Sequence, residues 1–387
     1  MNLTRTAAAL LMLASSTCGC YAADHVQIGV IRWDAWFPDS PWATHIHDKR
    51  WVGRVPFYGA HVVDGTKKID ASAVDTTEAE LAYAAAAGVD YFAFGLYAKD
   101  SNDGRPNNIM AQFSRPLDNF VALKNKHGMR FSLVMAGAKS YTENESIRRQ
   151  FATYVRQGSF ARTSDGRPVV FLLMLESSNA IRDPAGERNI IATRDAVTQD
   201  AARLVGKQPF LVALAFDAND GAHLVKDLKF DSFGSYGNPL GNVEATSDGY
   251  RPFTHCVNST KYYWSVANKT GVPYIPPVSL GWDYRPVIDD KGRNKHPEWC
   301  AQPQGNDVAP LITAALGNAR VPTFRSILIY AWNEFLEGGF LAPTLCGGAS
   351  KLAGLAAATG RERNLATELA ARPIPPPPSS CTASAQP

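Results

Sequence analysis

Eight short apolar runs, separated mostly by helix-forming stretches, constrain this chain more than any other feature. They fall at 26–32, 91–96, 130–135, 169–173, 210–215, 231–236, 274–280 and 326–331. The runs are rich in Val, Ile, Leu and Phe. Apolar runs of this length suit strands buried on both faces, as in a parallel sheet. Such strands alternating with helices predict βαβ units, and eight of them predict a single-domain α/β (β/α)8 TIM barrel over 23–371, with long loops on its C-terminal face. A doubly wound open sheet is the alternative. No Gly-x-Gly-x-x-Gly follows the first run, and no phosphate loop, Gly-x-Ser-x-Gly elbow or His-Glu-x-x-His is present. Nucleotide binding, α/β-hydrolase chemistry and zincin chemistry are therefore disfavoured.

The last run changes character abruptly. Ile327 to Ala331 is apolar, and then come Trp332, Asn333, Glu334 and Glu337, before Gly338 and Gly339. A buried strand running straight into an aromatic, an amide and two carboxylates reads as the C-terminal end of a barrel strand that carries an active site. Other strand ends carry acids too: Asp34, Asp100, Glu176, Asp217 and Asp283. Seven acids around one mouth suit glycoside cleavage, which needs a proton donor for the leaving oxygen and a second group at the ring. Two neighbouring carboxylates also repel, which keeps one protonated near neutral pH. Where a separate nucleophile acts, Asp217 or Asp34 is the candidate. Trp33, Trp36, Tyr97, Tyr236 and Trp282 follow strands and offer aromatic faces to a sugar; loop packing is the other reading. The loop from 37 to 75 holds Trp42, His45, His47, Trp51 and Tyr58. His45-Ile46-His47 lacks a third ligand at a useful spacing, so neither metal nor cofactor is expected. Thr76 to Glu80 is expected to cap and open an Ala-rich helix to Ala87, which Gly88 ends.

Trp332 to Pro343, Trp-Asn-Glu-Phe-Leu-Glu-Gly-Gly-Phe-Leu-Ala-Pro, resembles the last-strand motif of glycoside hydrolase families 99 and 71. Gly281-Trp282-Asp283 resembles a Gly-Trp-Asp of the family-99-like branch, which is often encoded with polysaccharide biosynthesis genes. The resemblance implies a (β/α)8 barrel acting on a glycan, as an endo-acting α-mannosidase or mannanase or as an α-1,3-glucanase. It implies Glu337 as general acid and base. It implies Glu334 as the group that takes the proton of the sugar's own 2-hydroxyl, which then attacks the anomeric carbon. Trp332 and Asn333 would orient the pair, with Asp34, Asp217, Trp282 and Asp283 also at the substrate. The third strand ends in Ala136-Gly137-Ala138, where many family-99-like proteins carry Trp-Ala-Asn-Glu. That departure favours the alternative of a non-hydrolytic carbohydrate-binding or polysaccharide-assembly barrel.

The N-terminus reads as a secretory signal over 1–22. Arg5 supplies the charge, Ala7 to Ala14 the apolar stretch, and Cys20-Tyr21-Ala22 the small residues before cleavage. A secreted or periplasmic protein is expected, with lipid anchoring through Cys18 or Cys20 as the alternative. Four cysteines remain, and export permits disulfides. Cys256 and Cys300 lie in long loops flanking the seventh strand and are expected to pair, leaving Cys346 to tie the tail through Cys381. The tail, 372–387, holds Pro373 to Pro378 and is expected as a disordered, proline-rich segment. The net charge of +3 suggests no nucleic-acid or anionic-membrane surface. A monomer is expected.

Overall fold

The computed structural model describes residues 25–46, 49–59, 62–63, 66–67, 69–99, 109–237, 249–289, 299–379 and 381. The signal segment, His47 and Asp100 lie outside the described residues.

All eight strands form. They are β1 (Gln27–Arg32), β2 (Tyr91–Gly95), β3 (Arg130–Ala136), β4 (Val169–Leu173), β5 (Phe210–Leu214), β6 (Ser232–Gly234), β7 (Pro277–Ser279) and β8 (Ser326–Tyr330). The sheet is parallel, in the order β7-β8-β1-β2-β3-β4-β5-β6. Val30 pairs with Ile329 on one side and Phe92 on the other, so β1 joins the last strand to the second. The ring closes through one parallel bridge, Phe233 to Tyr274, where the Ile275 amide donates to the Phe233 carbonyl at 2.8 Å. Pro276 and Pro277 have no N–H, which shortens β7 and leaves this joint thin.

A helix follows each strand: α1 (Val74–Ala86), α2 (Ile109–Ala122), α3 (Glu145–Tyr154), α4 (Pro184–Val205), α5 (Ala218–Lys226), α6 (Phe253–Thr270), α7 (Gly305–Asn318) and α8 (Ser350–Thr359). The protein is a (β/α)8 barrel. Strand side chains divide between two cores, as alternation requires. Ile31, Tyr91, Phe171, Val212, Leu328 and Tyr330 fill the inside. Val30, Phe92, Leu133, Leu172 and Ile329 face the helices. Both sets are apolar, so the strands read as unbroken runs.

Two expectations shift. The α1 helix starts at Val74 after Ala73, whose methyl cannot cap it, and the hydroxyls of Thr76 and Thr77 bond back to the carbonyls of Asp70 and Ala73. Gly88 does follow its end, in the left-handed region at φ 99°. The tail is fastened as far as Cys381: Ile374 packs on the core, and Tyr83 Oη donates to the Arg372 carbonyl at 2.7 Å. The disulfides Cys256–Cys300 and Cys346–Cys381 are both formed, with Cα separations of 6.3 and 5.4 Å. No helix among the described residues is long and apolar enough to cross a membrane.

Candidate active site

Beyond β8 the chain folds at once into a small antiparallel hairpin, Asn333–Glu334 against Gly339–Phe340. Gly338 makes the turn at φ 75°, a left-handed conformation that favours glycine. The hairpin places Glu334 and Glu337 on the wall of a cavity of about 740 Å³ at the C-terminal ends of the strands. Arg32, Trp33, Trp42, Tyr97, Tyr236 and Tyr284 share that wall, while Leu96, Val134, Ala136, Leu173 and Leu175 make its apolar side. The volume suits a small ligand or a few sugar units. A second cavity, about 960 Å³, opens at the opposite end of the barrel beside His25, Asp90 and Arg361, away from the acid pair.

Each acid has a tyrosine. Tyr236 Oη donates to Glu334 Oε1 at 2.8 Å, and Tyr330 Oη donates to Glu337 Oε2. Glu334 is 3% exposed. Burial first, then the charge of Glu337, hold its pKa well above the ordinary glutamate range. Burial also raises Glu337, against which its tyrosine bond works. Burial and then Glu334 push Tyr236 well above an ordinary phenol, and the same causes act on Tyr330, so both hydroxyls remain donors. The charge of Glu337 raises Glu334, as neighbouring carboxylates repel, and this favours a form in which one of the two is protonated.

A buried ionic cluster anchors the hairpin to β1 and α1. Arg32 Nη2 meets Asp34 Oδ1 at 2.7 Å, and Nη1 lies 2.8 Å from Glu80 Oε2 off the hydrogen-bond line. The guanidinium sits over the rings of Phe92 and Phe94. Burial works against its charge, and Asp34 and Glu80 more than compensate, raising its pKa. Trp332 Nε1 donates to Glu80 Oε1 at 2.8 Å, and Asn333 Nδ2 to Asp34 Oδ1 at 3.0 Å. Asn333 Oδ1 accepts from the Trp33 amide, and Trp36 Nε1 donates to the Asn333 carbonyl. A second brace is Arg54, whose Nη1 donates to the carbonyls of Asp283, Phe335 and Leu336.

The structure thus gathers Glu334, Glu337, Trp33, Tyr97 and Tyr236 at one cavity and places the other candidates elsewhere. Trp36 and Trp332 are fully buried, so neither offers a face to a sugar; both hold the hairpin from behind. Asp34 and Asn333 are buried in the same support. Asp283 is taken up by Arg54 and Arg285. Trp282 is half-buried against Tyr284, and it is Tyr284 that reaches the cavity. Asp217 is an exposed N-cap of α5, accepting from the Asn219 and Asp220 amides. Neither proposed separate nucleophile is therefore free at the cavity. Glu176 accepts from the Ala138 amide at 2.7 Å. Sequence reasoning missed Arg32, Trp42 and Tyr284 at the cavity, and Tyr330, Glu80 and Arg54 behind it. Arg32 had a signal, as a lone charge closing an apolar strand.

Eight parallel strands, a ring of helices and an acid pair at the strand C-termini define the class: a (β/α)8 barrel with its candidate site on the usual face. No family model and no curated protein matches the chain. Among solved structures it is similar to the GH99 endo-alpha-mannosidase from Bacteroides thetaiotaomicron in complex with BIS-TRIS-propane, at 15% identity and a TM-score of 0.53, over 90% of this chain and 98% of that one. A second structure of that GH99 endo-alpha-mannosidase is similar at 13% identity and a TM-score of 0.51, over 90% of this chain and 99% of the other. At such identities the likeness is one of fold.

Proposed function

We propose that this chain is a secreted glycoside hydrolase acting on a polysaccharide or oligosaccharide, with α-linked mannan or glucan as the first substrates to try. The observation that carries the reading is the buried pair Glu334 and Glu337 at the cavity, each accepting a hydrogen bond from a tyrosine. Glu334 takes the proton of the sugar 2-hydroxyl, and that oxygen attacks the anomeric carbon. The glycosidic bond breaks, and the leaving oxygen takes its proton from Glu337. Water then opens the 1,2-anhydro sugar, losing a proton to Glu337 as Glu334 returns one to the 2-oxygen. Burial raises both acids, and the charge of Glu337 adds to the effect on Glu334. A 2-hydroxyl donating to Glu334 favours its charged form, which suits a bound state with the proton on Glu337. Export fits the two disulfides.

A second reading, a glycan-binding barrel without turnover, draws on the apolar side of the cavity, where Ala136 and Leu175 offer sugar hydroxyls no side-chain partner. The test is release of reducing ends from α-mannans, α-glucans and acidic bacterial polysaccharides. Release that Glu337→Gln abolishes supports the hydrolase. Retardation in glycan-containing gels without release from any polymer favours the binder.

A further inference from the structure

Tyr330, the last residue of β8, stands at the acid pair without a part in the reaction above. It is 1% exposed, and its ring lies inside the barrel with its centroid 5.3 Å from that of Tyr236. The ring fits because a glycine faces it. A Cβ on Gly339 would stand 2.5 Å from Tyr330 Cε1, and Gly237 lies on another side of the ring within ordinary contact. Held there, its hydroxyl donates to Glu337 Oε2. A general acid must present its proton in one direction, yet a carboxyl has two oxygens over which the proton can spread. We infer that Tyr330 is the positioning residue of Glu337: its hydroxyl occupies Oε2 and leaves Oε1 to carry the proton to the glycosidic oxygen. The inference rests on the hydrolase reading.

The charged and titratable surroundings of Glu337 come from several elements. Glu334 and Tyr330 belong to its own strand end, and Tyr236 follows β6. Asp283, paired with Arg54 and Arg285, lies behind the loop, its amide donating to the Glu337 carbonyl at 2.6 Å. Arg32, with Asp34 and Glu80, and Glu143 share the cavity wall or lie behind it, and Lys351 lies behind Phe340. Among the described residues, the side chain bonded to the Glu337 carboxyl is that of Tyr330.

The test titrates Glu337 directly. The protein is labelled with ¹³Cδ-glutamate, and the Glu337 carboxyl resonance is assigned from its loss in Glu337→Gln. In Tyr330→Phe the midpoint rises by about one pH unit or more, because the charged form loses its donor. In Tyr236→Phe, which strips Glu334 instead, the Glu337 midpoint does not rise. Replacing Tyr330 by 3-fluorotyrosine, a stronger donor of nearly the same shape, lowers the midpoint and serves where the phenylalanine variant folds poorly. An unmoved midpoint in both Tyr330 variants, or an equal rise in Tyr236→Phe, overturns the inference. The titration needs no turnover. Its failure is thus distinct from failure of the hydrolase reading, which a wild type inert on every glycan would bring.

Discussion

Arg54→Met removes the guanidinium that braces the acid-bearing loop, and its cost can be worked from the contacts. Arg54 is 5% exposed. Its Nη1 lies 2.8 Å from the Asp283 carbonyl, 3.1 Å from that of Phe335 and 2.9 Å from that of Leu336, while Nη2 pairs with the Asp283 carboxylate. Burial lowers its pKa, Asp283 counters, and Arg285 adds to the burial effect, so the charge is tolerated only because its partners are in place. Methionine fills similar space without a donor. Three carbonyls lose a partner, and Asp283 keeps Arg285 alone, at 2.8 Å. Breaking a buried pair from one side costs about 3–5 kcal/mol. An unfolding entropy of about 2.1 cal/mol/K per residue over roughly 360 residues gives about 0.75 kcal/mol/K, so the melting temperature falls by about 4–7 °C. Scanning calorimetry with the disulfides intact measures this. Arg149→Met is the control, because Arg149 pairs with Glu145 on a helix surface at 56% side-chain exposure. Its cost is at most about 0.5 kcal/mol, a shift under about 1 °C. Arg54→Lys falls between, since a point charge meets Asp283 but not the fan of carbonyls. A fall in Arg54→Met no larger than that of Arg149→Met refutes the brace.

Three further outcomes follow from the site and the barrel. Glu337→Gln loses about 10²–10⁴-fold in kcat on glycans with poor leaving groups and less on activated aryl glycosides, whereas Glu334→Gln fails on both; equal losses across leaving groups for Glu337→Gln would move the acid role elsewhere. A carboxyl whose pKa rises on folding stabilises most below its unfolded value, and that contribution is lost as pH climbs through the folded value. Burial, then Glu337, raises Glu334 in this way. Glu334→Gln should therefore melt above wild type near neutral pH but not at about pH 4, and a wild type that melts higher near neutral pH would contradict the burial cost. The Ile275 amide, which carries the joint between β6 and β7, should exchange with deuterium faster than amides in the middle of β1 and β2, and equal protection would show a joint as firm as the full ladders.

The barrel was legible because its strands are buried on both faces. Runs such as Val169 to Leu173 and Phe210 to Leu214 have no polar alternation to blur them. Pro276-Pro277 also warned of an irregular seventh strand, and β7 is short there. The acids were legible because carboxylates rarely follow an apolar run without purpose. What supports them was not. Arg54 lies more than two hundred residues from the carbonyls it holds, in a loop with no periodic pattern. Glu80 is one acid in an Ala-rich helix, indistinguishable in sequence from a solvated one, yet fully buried against Arg32. Tyr330 was counted as apolar strand, and only the hairpin that folds back over it turns its hydroxyl into a donor for Glu337. Trp36 shows the opposite error. A tryptophan beside a strand end looks the same whether its face meets a ligand or its N–H meets a carbonyl, and here it is the latter.

Both acids ride on one hairpin, so their spacing is a local property of a few residues. Groups contributed by different barrel strands move apart or together whenever a strand tilts or slides, and every helix packed outside can cause that. The Glu334–Glu337 spacing is insulated from such drift. The wall opposite, built from the ends of β2, β3 and β4, is assembled from separate strands and has no such insulation. Substitutions in the outer helices or in that wall would therefore alter which molecule fits the cavity well before they alter the relation between the acids. The loops after β2 to β4 are accordingly the natural place to redirect what this barrel recognises, with the last strand left untouched.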